Sequence, residues 1–124
     1  MKKLLPISIF IFSAIAGYCS DRKISSVESS GNWIYVYDDQ GKRYQTLSKS
    51  SAGDVCGFSS TFFVTVNGNW IYLYNADGRR YKTLSKSSVG EVVSVGGDTF
   101  TTRHGNWIYT WNIEGKKINT RYAH

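Results

Sequence analysis

The pentapeptide Gly-Asn-Trp-Ile-Tyr occurs three times, at residues 31–35, 68–72 and 105–109, a period of 37 residues kept without insertion. Self-similarity at a fixed period of this size marks a repeat architecture, in which each unit buries its apolar face on a neighbour. The rest of the chain falls into the same register. Asp38-Asp39-Gln40-Gly41 recurs as Asn75-Ala76-Asp77-Gly78 and Asn112-Ile113-Glu114-Gly115, and Leu47-Ser48-Lys49-Ser50-Ser51 recurs as Leu84-Ser85-Lys86-Ser87-Ser88.

The second repeat serves as a template. Residues 55–58 read as a short strand, and residues 61–66, rich in aromatic and β-branched side chains, as a second. Asn67-Gly68-Asn69 is a tight turn, since Asn-Gly supplies the positive φ that short hairpins need. Residues 70–74 form a third strand, Asn75 to Gly78 a hairpin loop, residues 79–84 a fourth strand and residues 85–90 a polar connection. No stretch keeps a helical period, so essentially no helix is expected. The fold class is all-β, three tandem four-stranded antiparallel meanders; the alternative is a β-trefoil.

Ahead of the repeats, Lys2 and Lys3 precede the apolar residues 4–16, which end in Ala14-Ile15-Ala16. This has the form of a secretory signal peptide, and the run is too short to span a bilayer. A lipoprotein signal ending at Cys19 fits less well, because the bulky Tyr18 precedes the cysteine. Residues 17–124 then make one domain of three repeats, 17–53, 54–90 and 91–124, destined for the periplasm or secretion. Fifteen Lys and Arg less the two in the leader leave 13 against 9 Asp and Glu, a net +4 spread through the repeats. That balance keeps a small domain soluble and forms no basic tail for nucleic acid. No later stretch is long and apolar enough to cross a membrane.

The strand–turn–strand run Trp-Ile-Tyr-Leu-Tyr-Asn-Ala-Asp-Gly-Arg-Arg-Tyr, residues 70–81, resembles the blades of secreted β-propellers, especially the quinoprotein-like type. The resemblance covers the whole mature chain. Propellers carry about 4 to 8 blades, whereas three repeats stand here. Three sheets can also close as a β-prism, as in some plant lectins, although the Gln-x-Asp-x-Asn-x-Val-x-Tyr sugar motif of that family is missing.

Side chains alternate across a strand, so Trp33, Tyr35 and Tyr37 share one face, as do Trp70, Tyr72 and Tyr74, and Trp107, Tyr109 and Trp111. Nine exposed rings would exceed what a soluble monomer shows. The tryptophans of the pentapeptide are therefore expected to pack, with the outermost rings Tyr37, Tyr74 and Trp111 left for a ligand. Lys42-Arg43, Arg79-Arg80 and Lys116-Lys117 follow each hairpin glycine and read as charges that guard an outer edge strand against sheet-to-sheet pairing. In a meander, the second-to-third-strand turns lie on the same side as the connections between repeats. That side gathers Asn32, Asn69, Asn106, His104, Lys49 and Lys86, the polar face to search for a partner.

The parts of a catalytic centre are missing from the sequence. Two histidines lack metal-ligand spacing, there is no nucleophile elbow, and Asp54 and Glu91 simply occupy equivalent strand starts. No enzyme activity, cofactor or metal is expected. The chain reads as a non-catalytic binding module of the cell envelope that engages a protein partner as an inhibitor or immunity-type protein; the alternative is a small lectin-like glycan binder. A lectin should repeat its site in all three units. Cys19 and Cys56 hold the same position in adjacent repeats, and an oxidising compartment would join them in a disulfide closing a loop of about 37 residues, worth about 3 to 4 kcal/mol. Thr101 and Thr110 make the third repeat more polar than the second, with Val64 and Leu73, which favours a closed monomer over a head-to-tail ring of two chains.

Overall fold

A computed structural model of the chain describes residues 22–123. The leader segment and Cys19, with the expected disulfide, fall outside the described residues. Strands β1 (Ile24–Ser30), β2 (Trp33–Asp38) and β3 (Arg43–Ser48) form the first sheet. Strands β4 (Asp54–Phe58), β5 (Phe62–Asn67), β6 (Trp70–Asn75) and β7 (Arg80–Ser85) form the second. Strands β8 (Glu91–Gly96), β9 (Thr99–His104), β10 (Trp107–Asn112) and β11 (Lys117–Tyr122) form the third. Each sheet is an antiparallel meander in sequence order. The fold class is thus the expected one, and the sheets form no closed barrel among the described residues, which removes the trefoil. The strand expected ahead of β1 lies outside the described residues.

The hairpins form where the turn chemistry places them. Gly41, Gly78 and Gly115 adopt positive φ. The side chain that opens each loop caps it: Oδ1 of Asp38 accepts from the amides of Gln40 and Lys42, and Asn75 and Asn112 do the same two and four residues on. The connections differ from expectation. Each closes a single helical turn, α1 (Lys49–Ala52) and α2 (Lys86–Val89). Gly53 N–H donates to Lys49 O and Gly90 N–H to Lys86 O. One turn of four residues is too short to show a period. It stops because Gly53 and Gly90 leave it at φ of 95° and 94°. A Cβ at either glycine would stand 2.2 Å from a backbone oxygen of the next sheet.

The sheets are joined face to face by one design used twice. Ile34 and Val36 of β2, fully buried, pack with Val27 and Ala52 against Phe63 and Tyr74 of the second sheet. One period on, Ile71 and Leu73 of β6 pack with Val64 and Val89 against Phe100 and Trp111 of the third. Each aliphatic side chain so buried contributes about 1.5 to 3 kcal/mol. Two polar bonds lock each joint. Thr65 Oγ1 donates to Ala52 O, and Thr102 Oγ1 to Val89 O, both at 2.7 Å and fully buried. The last strand of each sheet, the fourth of a full meander, is bulged. The extra residue is Tyr44 in β3 and Tyr81 in β7, and a bulge re-aims the side chain it carries. Tyr44 reaches across to donate to Ala76 O, and Tyr81 to Ile113 O. Along the inner side β4 lies beside both β1 and β8, where a Cβ on Gly57 would come within 2.9 Å of Val95.

Among the described residues the three sheets do not close as a prism. Each of the two core clusters lies between neighbouring sheets, and neither joins the first to the third. The reason is written on the two outer faces. On the first sheet Ser26 and Glu28 stand opposite Tyr37 and Tyr35, where the joints use Phe63 and Thr65, or Phe100 and Thr102. On the third sheet Thr101, Thr110 and Arg103 stand where the second has Val64, Leu73 and Val66. The bulge residue of β11 is Ile118, which has no hydroxyl to latch. Both end faces therefore carry polar residues where a joint needs apolar ones, as terminal repeats of stacked arrays do. The chain from residue 17 is expected to scatter light as a monomer at up to millimolar concentration. A stable dimer would show that the end faces pair after all.

Burial pushes the Tyr44 hydroxyl up to about 12 from an ordinary 10.0. The folded chain keeps this proton where the unfolded chain has released it, so the contribution is full below pH 10 and declines as pH rises towards 12. Tyr44→Phe leaves Ala76 O without its partner and should cost about 1 to 2 kcal/mol at neutral pH. Denaturation curves of the two proteins, compared from pH 8 upwards, should converge above pH 10.

Candidate functional site

Three ledges, one per sheet, stand out from the joints. Each begins with the tryptophan of the pentapeptide. Trp33, Trp70 and Trp107 are 49%, 48% and 46% exposed. Trp33 lies on a face with no preceding sheet among the described residues, whereas Trp70 and Trp107 lie on faces that a preceding sheet covers. Their equal exposure shows that the ledge lies beyond the reach of the joint. The expectation that these rings pack and the outermost rings stay open is reversed. Tyr74 is buried to 4% exposure, stacked on Phe63 at 4.9 Å, and Trp111 to 8%, stacked on Phe100 at 6.2 Å. The Nε1–H of Trp111 donates to Thr102 Oγ1 at 3.0 Å. Alternation along the strand assigned the right face to these rings. Which part of that face is covered depends on how far the preceding sheet is offset, and its aliphatic pair sits over Tyr74 and Trp111. Tyr37, on the uncovered first sheet, is half-buried.

Next to each tryptophan, two residues along the strand, is a half-buried tyrosine with a cation on its ring. Arg43 Cζ lies 4.3 Å from the Tyr35 centroid, Arg80 Cζ 3.7 Å from that of Tyr72, and Lys117 Nζ 4.2 Å from that of Tyr109. A cation over a tyrosine face is held by the ring quadrupole. The second residue of each basic pair is thus part of an aromatic ledge rather than only a guard of the sheet edge. The sequence carries this signal: the tyrosine and the cation recur eight residues apart in every repeat. Only the register of the fourth strand, shifted by its bulge, brings them onto one face. The third ledge differs in one respect, since Tyr122 meets Trp107 edge-on at 5.2 Å where the first two sheets carry Ser48 and Ser85.

The polar side gathers as the strand order requires, and much of it is engaged in holding the connections. Asn32 O accepts from the Lys49 amide, Asn69 O from Lys86 and Asn106 O from Ala123, while the three asparagine side chains are exposed. Asn69 Nδ2 donates to Ser85 Oγ at 3.3 Å. His104 Nε2 lies 3.1 Å from Ser87 O, where Asn67 Nδ2 meets Ser50 O and Ser51 O one period earlier. His104 therefore pins α2 as Asn67 pins α1. The Lys49 ammonium lies 3.5 Å from Asp54, and Lys86 is half-buried beside the second ledge's turn.

Between β3 and the second sheet a cleft of about 450 Å³ opens onto the second ledge. Thr46, Leu47, Ser48, Ser51 and Ala52 line one side, and Tyr74 and Arg80 line the other. Arg80 donates to the Tyr74 hydroxyl from Nε and Nη2 at 3.4 and 3.3 Å, and to Ser51 O at 3.5 Å. No carboxylate lines this cleft. Elsewhere the ionisable groups serve the fold. The Lys42 amide, foremost, holds the Asp38 carboxyl below its usual range. Cys56 occupies the bulge of β4, and partial burial pushes its thiol up. Among the described residues no group of three or more His, Cys, Asp or Glu is placed to hold a metal ion, and no helix is long and apolar enough to cross a membrane.

Comparison with known protein families finds no match, and comparison with curated proteins finds none either.

Because the three tryptophans are only half covered, replacing any one by alanine should cost about 1 to 2 kcal/mol, well below the 3 to 5 expected for a buried aromatic. Phe63→Ala, which empties the first joint, provides that upper mark. Chemical denaturation of the four variants separates the two classes. A tryptophan variant as unstable as Phe63→Ala would return the ledges to the core.

Proposed function

We propose that this chain is a non-catalytic, exported binding module that holds carbohydrate on its three aromatic ledges. The observation that carries the reading is the near-identical exposure of Trp33, Trp70 and Trp107. A site present in every repeat is what a glycan binder needs, because its ligand is itself a repeat. The face of an indole takes the C–H face of a sugar ring. The exposed Asn32, Asn69 and Asn106 amides beside it supply donors and acceptors for hydroxyl groups. Arg43, Arg80 and Lys117, anchored on tyrosine rings, offer fixed cationic donors at the same ledge. Three weak sites in fixed register gain avidity on a chain that can reach two of them at once.

The second reading, a protein partner of inhibitor or immunity type, draws on a different feature. Trp, Tyr and Arg are the residues in which protein-interface hot spots are richest, and the Tyr122–Trp107 pair makes the third ledge unlike the others. A partner using that asymmetry would bind once per chain.

A glycan array probed with the chain from residue 17, followed by calorimetry on any oligosaccharide retained, decides between them. Ledge binding predicts about three ring-sized sites per chain, with each of Trp33→Ala, Trp70→Ala and Trp107→Ala removing about one. An array with no retained glycan, or binding that survives all three changes together, overturns the carbohydrate reading.

A further inference from the structure

The residues lining the cleft between the first two sheets have counterparts one period on, at the joint of the second and third, and the register tells which to compare. Thr46, Ser48 and Ser51 become Thr83, Ser85 and Ser88, so these positions are kept. The other positions are not. Ala52 becomes Val89, Tyr74 becomes Trp111 and Arg80 becomes Lys117. Two of these changes add bulk at the back and roof. The third replaces a planar fork with a point charge. The first joint therefore carries the smaller side chains at these positions and the planar guanidinium suited to a planar anion.

From this we infer that the first cleft is a selective subsite for a single sugar unit bearing a carboxylate, such as a hexuronate. Its volume of about 450 Å³ falls at the small end of ligand sites, which suits one ring and not a chain. Arg80 is the one charged side chain in the lining. Its guanidinium is already oriented by Tyr74 Oη, Ser51 O and the Tyr72 ring. A fork held in place loses little freedom on pairing with a carboxylate, and Arg–carboxylate pairs are directional. Thr46 and Ser48 border the cleft from β3 with their side chains on the Tyr35 and Trp33 face, and Leu47 and Ala52 supply apolar contact for the C–H groups of a sugar ring. The choice of sugars over other small anions rests on the ledge reading above; the choice of a carboxylate rests on Arg80 alone.

Glucuronate, galacturonate, glucose and acetate are each titrated into the chain from residue 17, followed by amide chemical shifts, alongside a short oligogalacturonide. The expected result is saturable shifts at Ser48, Ser51, Ala52 and Tyr74 with a uronate, at least tenfold weaker binding of glucose and acetate, and no such shifts at the joint of the second and third sheets. Arg80→Gln should weaken uronate binding at least tenfold, while Lys116→Gln, outside the cleft and the ledges, leaves it unchanged. Ala52→Val copies the residue of the second joint, keeps Arg80 and the ledges, and should also abolish it. A thermal melt confirms that each variant is folded. An oligogalacturonide that binds more tightly than the monomer identifies a chain end as the natural source, and equal affinity identifies the free sugar acid. Uronate and acetate binding alike, glucose and uronate binding alike, or no saturable shift at all overturns the proposal. The tryptophan variants bear on the ledges alone, so loss of the cleft site with glycan retention intact separates the two failures.

Discussion

The structure depends on one contact made twice: the aliphatic face of a sheet laid on the aromatic face of the next. Neither face could be left in water on its own. Ile34 and Val36 need Phe63 and Tyr74, and Ile71 and Leu73 need Phe100 and Trp111. The area buried is generic, but the polar bonds through it are not. Thr65 and Thr102, sealed from solvent, each find a carbonyl of the helical turn that precedes their sheet. Such a buried hydroxyl would cost several tenths to a few kcal/mol if the sheets slid out of register, since it would lose its partner. Apolar packing thus supplies the adhesion, and the Thr and Tyr bonds set the offset. The offset in turn decides which rings are covered.

That dependence explains what could and could not be read from the chain. Period, strand order and hairpins were legible because each is a local matter: Asn-Gly turns, Asx caps at residues 38, 75 and 112, and alternation along β6. The faces were legible too, since Tyr74 and Trp70 do share one. The depth of burial along a face was not. It belongs to the preceding sheet, 37 residues away, and no local pattern reports where that sheet's edge falls. For this reason Trp70 was expected inside and Tyr74 outside, and the structure has them the other way round. The helical turns α1 and α2 escaped notice because a single turn shows no period. The tyrosine–cation pairs escaped notice because a bulge, invisible in sequence, shifts β7 by one residue and carries Arg80 onto the Tyr72 face. Of the site residues expected, Asn32, Asn69 and Asn106 each lie against the segment that follows their own sheet, and His104 is occupied in pinning α2.

Departures from the repeat are as informative as the repeat. Where a position faces a joint, the second and third sheets keep Phe, Thr and a large aromatic. Where the same position faces outward on the first sheet, it becomes Ser26 and Glu28. A charge at the place of a buried threonine is incompatible with another joint, because a buried carboxylate without a partner is far more costly than the contact would return. Thr101, Thr110 and Ile118 act likewise on the third sheet by withholding apolar area and the latch. Identical joints would let copies stack without limit, and a heterologous contact that does not close makes fibres. These substitutions are expected to confine stacking to the joints within the chain.

The joint also bears on function, because a face-to-face contact between twisted sheets cannot be tight everywhere. Adjacent strands rotate relative to one another, so two stacked sheets that touch along their inner strands splay apart towards their outer ones. At the first joint a gap opens between β3 and the strands β6 and β7 of the second sheet. There the aliphatic cover ends and the Trp–Tyr–cation ledges begin. That gap is lined by Ala52, Tyr74 and Arg80, and one period on the same positions carry Val89, Trp111 and Lys117. Ala52 and Tyr74, like Val89 and Trp111, belong to the buried joints, so what varies from one joint to the next is the bulk at the edge of the packing, and Arg80 stands at that edge with no carboxylate in the lining. An arginine kept there, where the equivalent edge carries bulkier apolar side chains and a lysine, is the difference on which the proposed ligand role of the first joint rests.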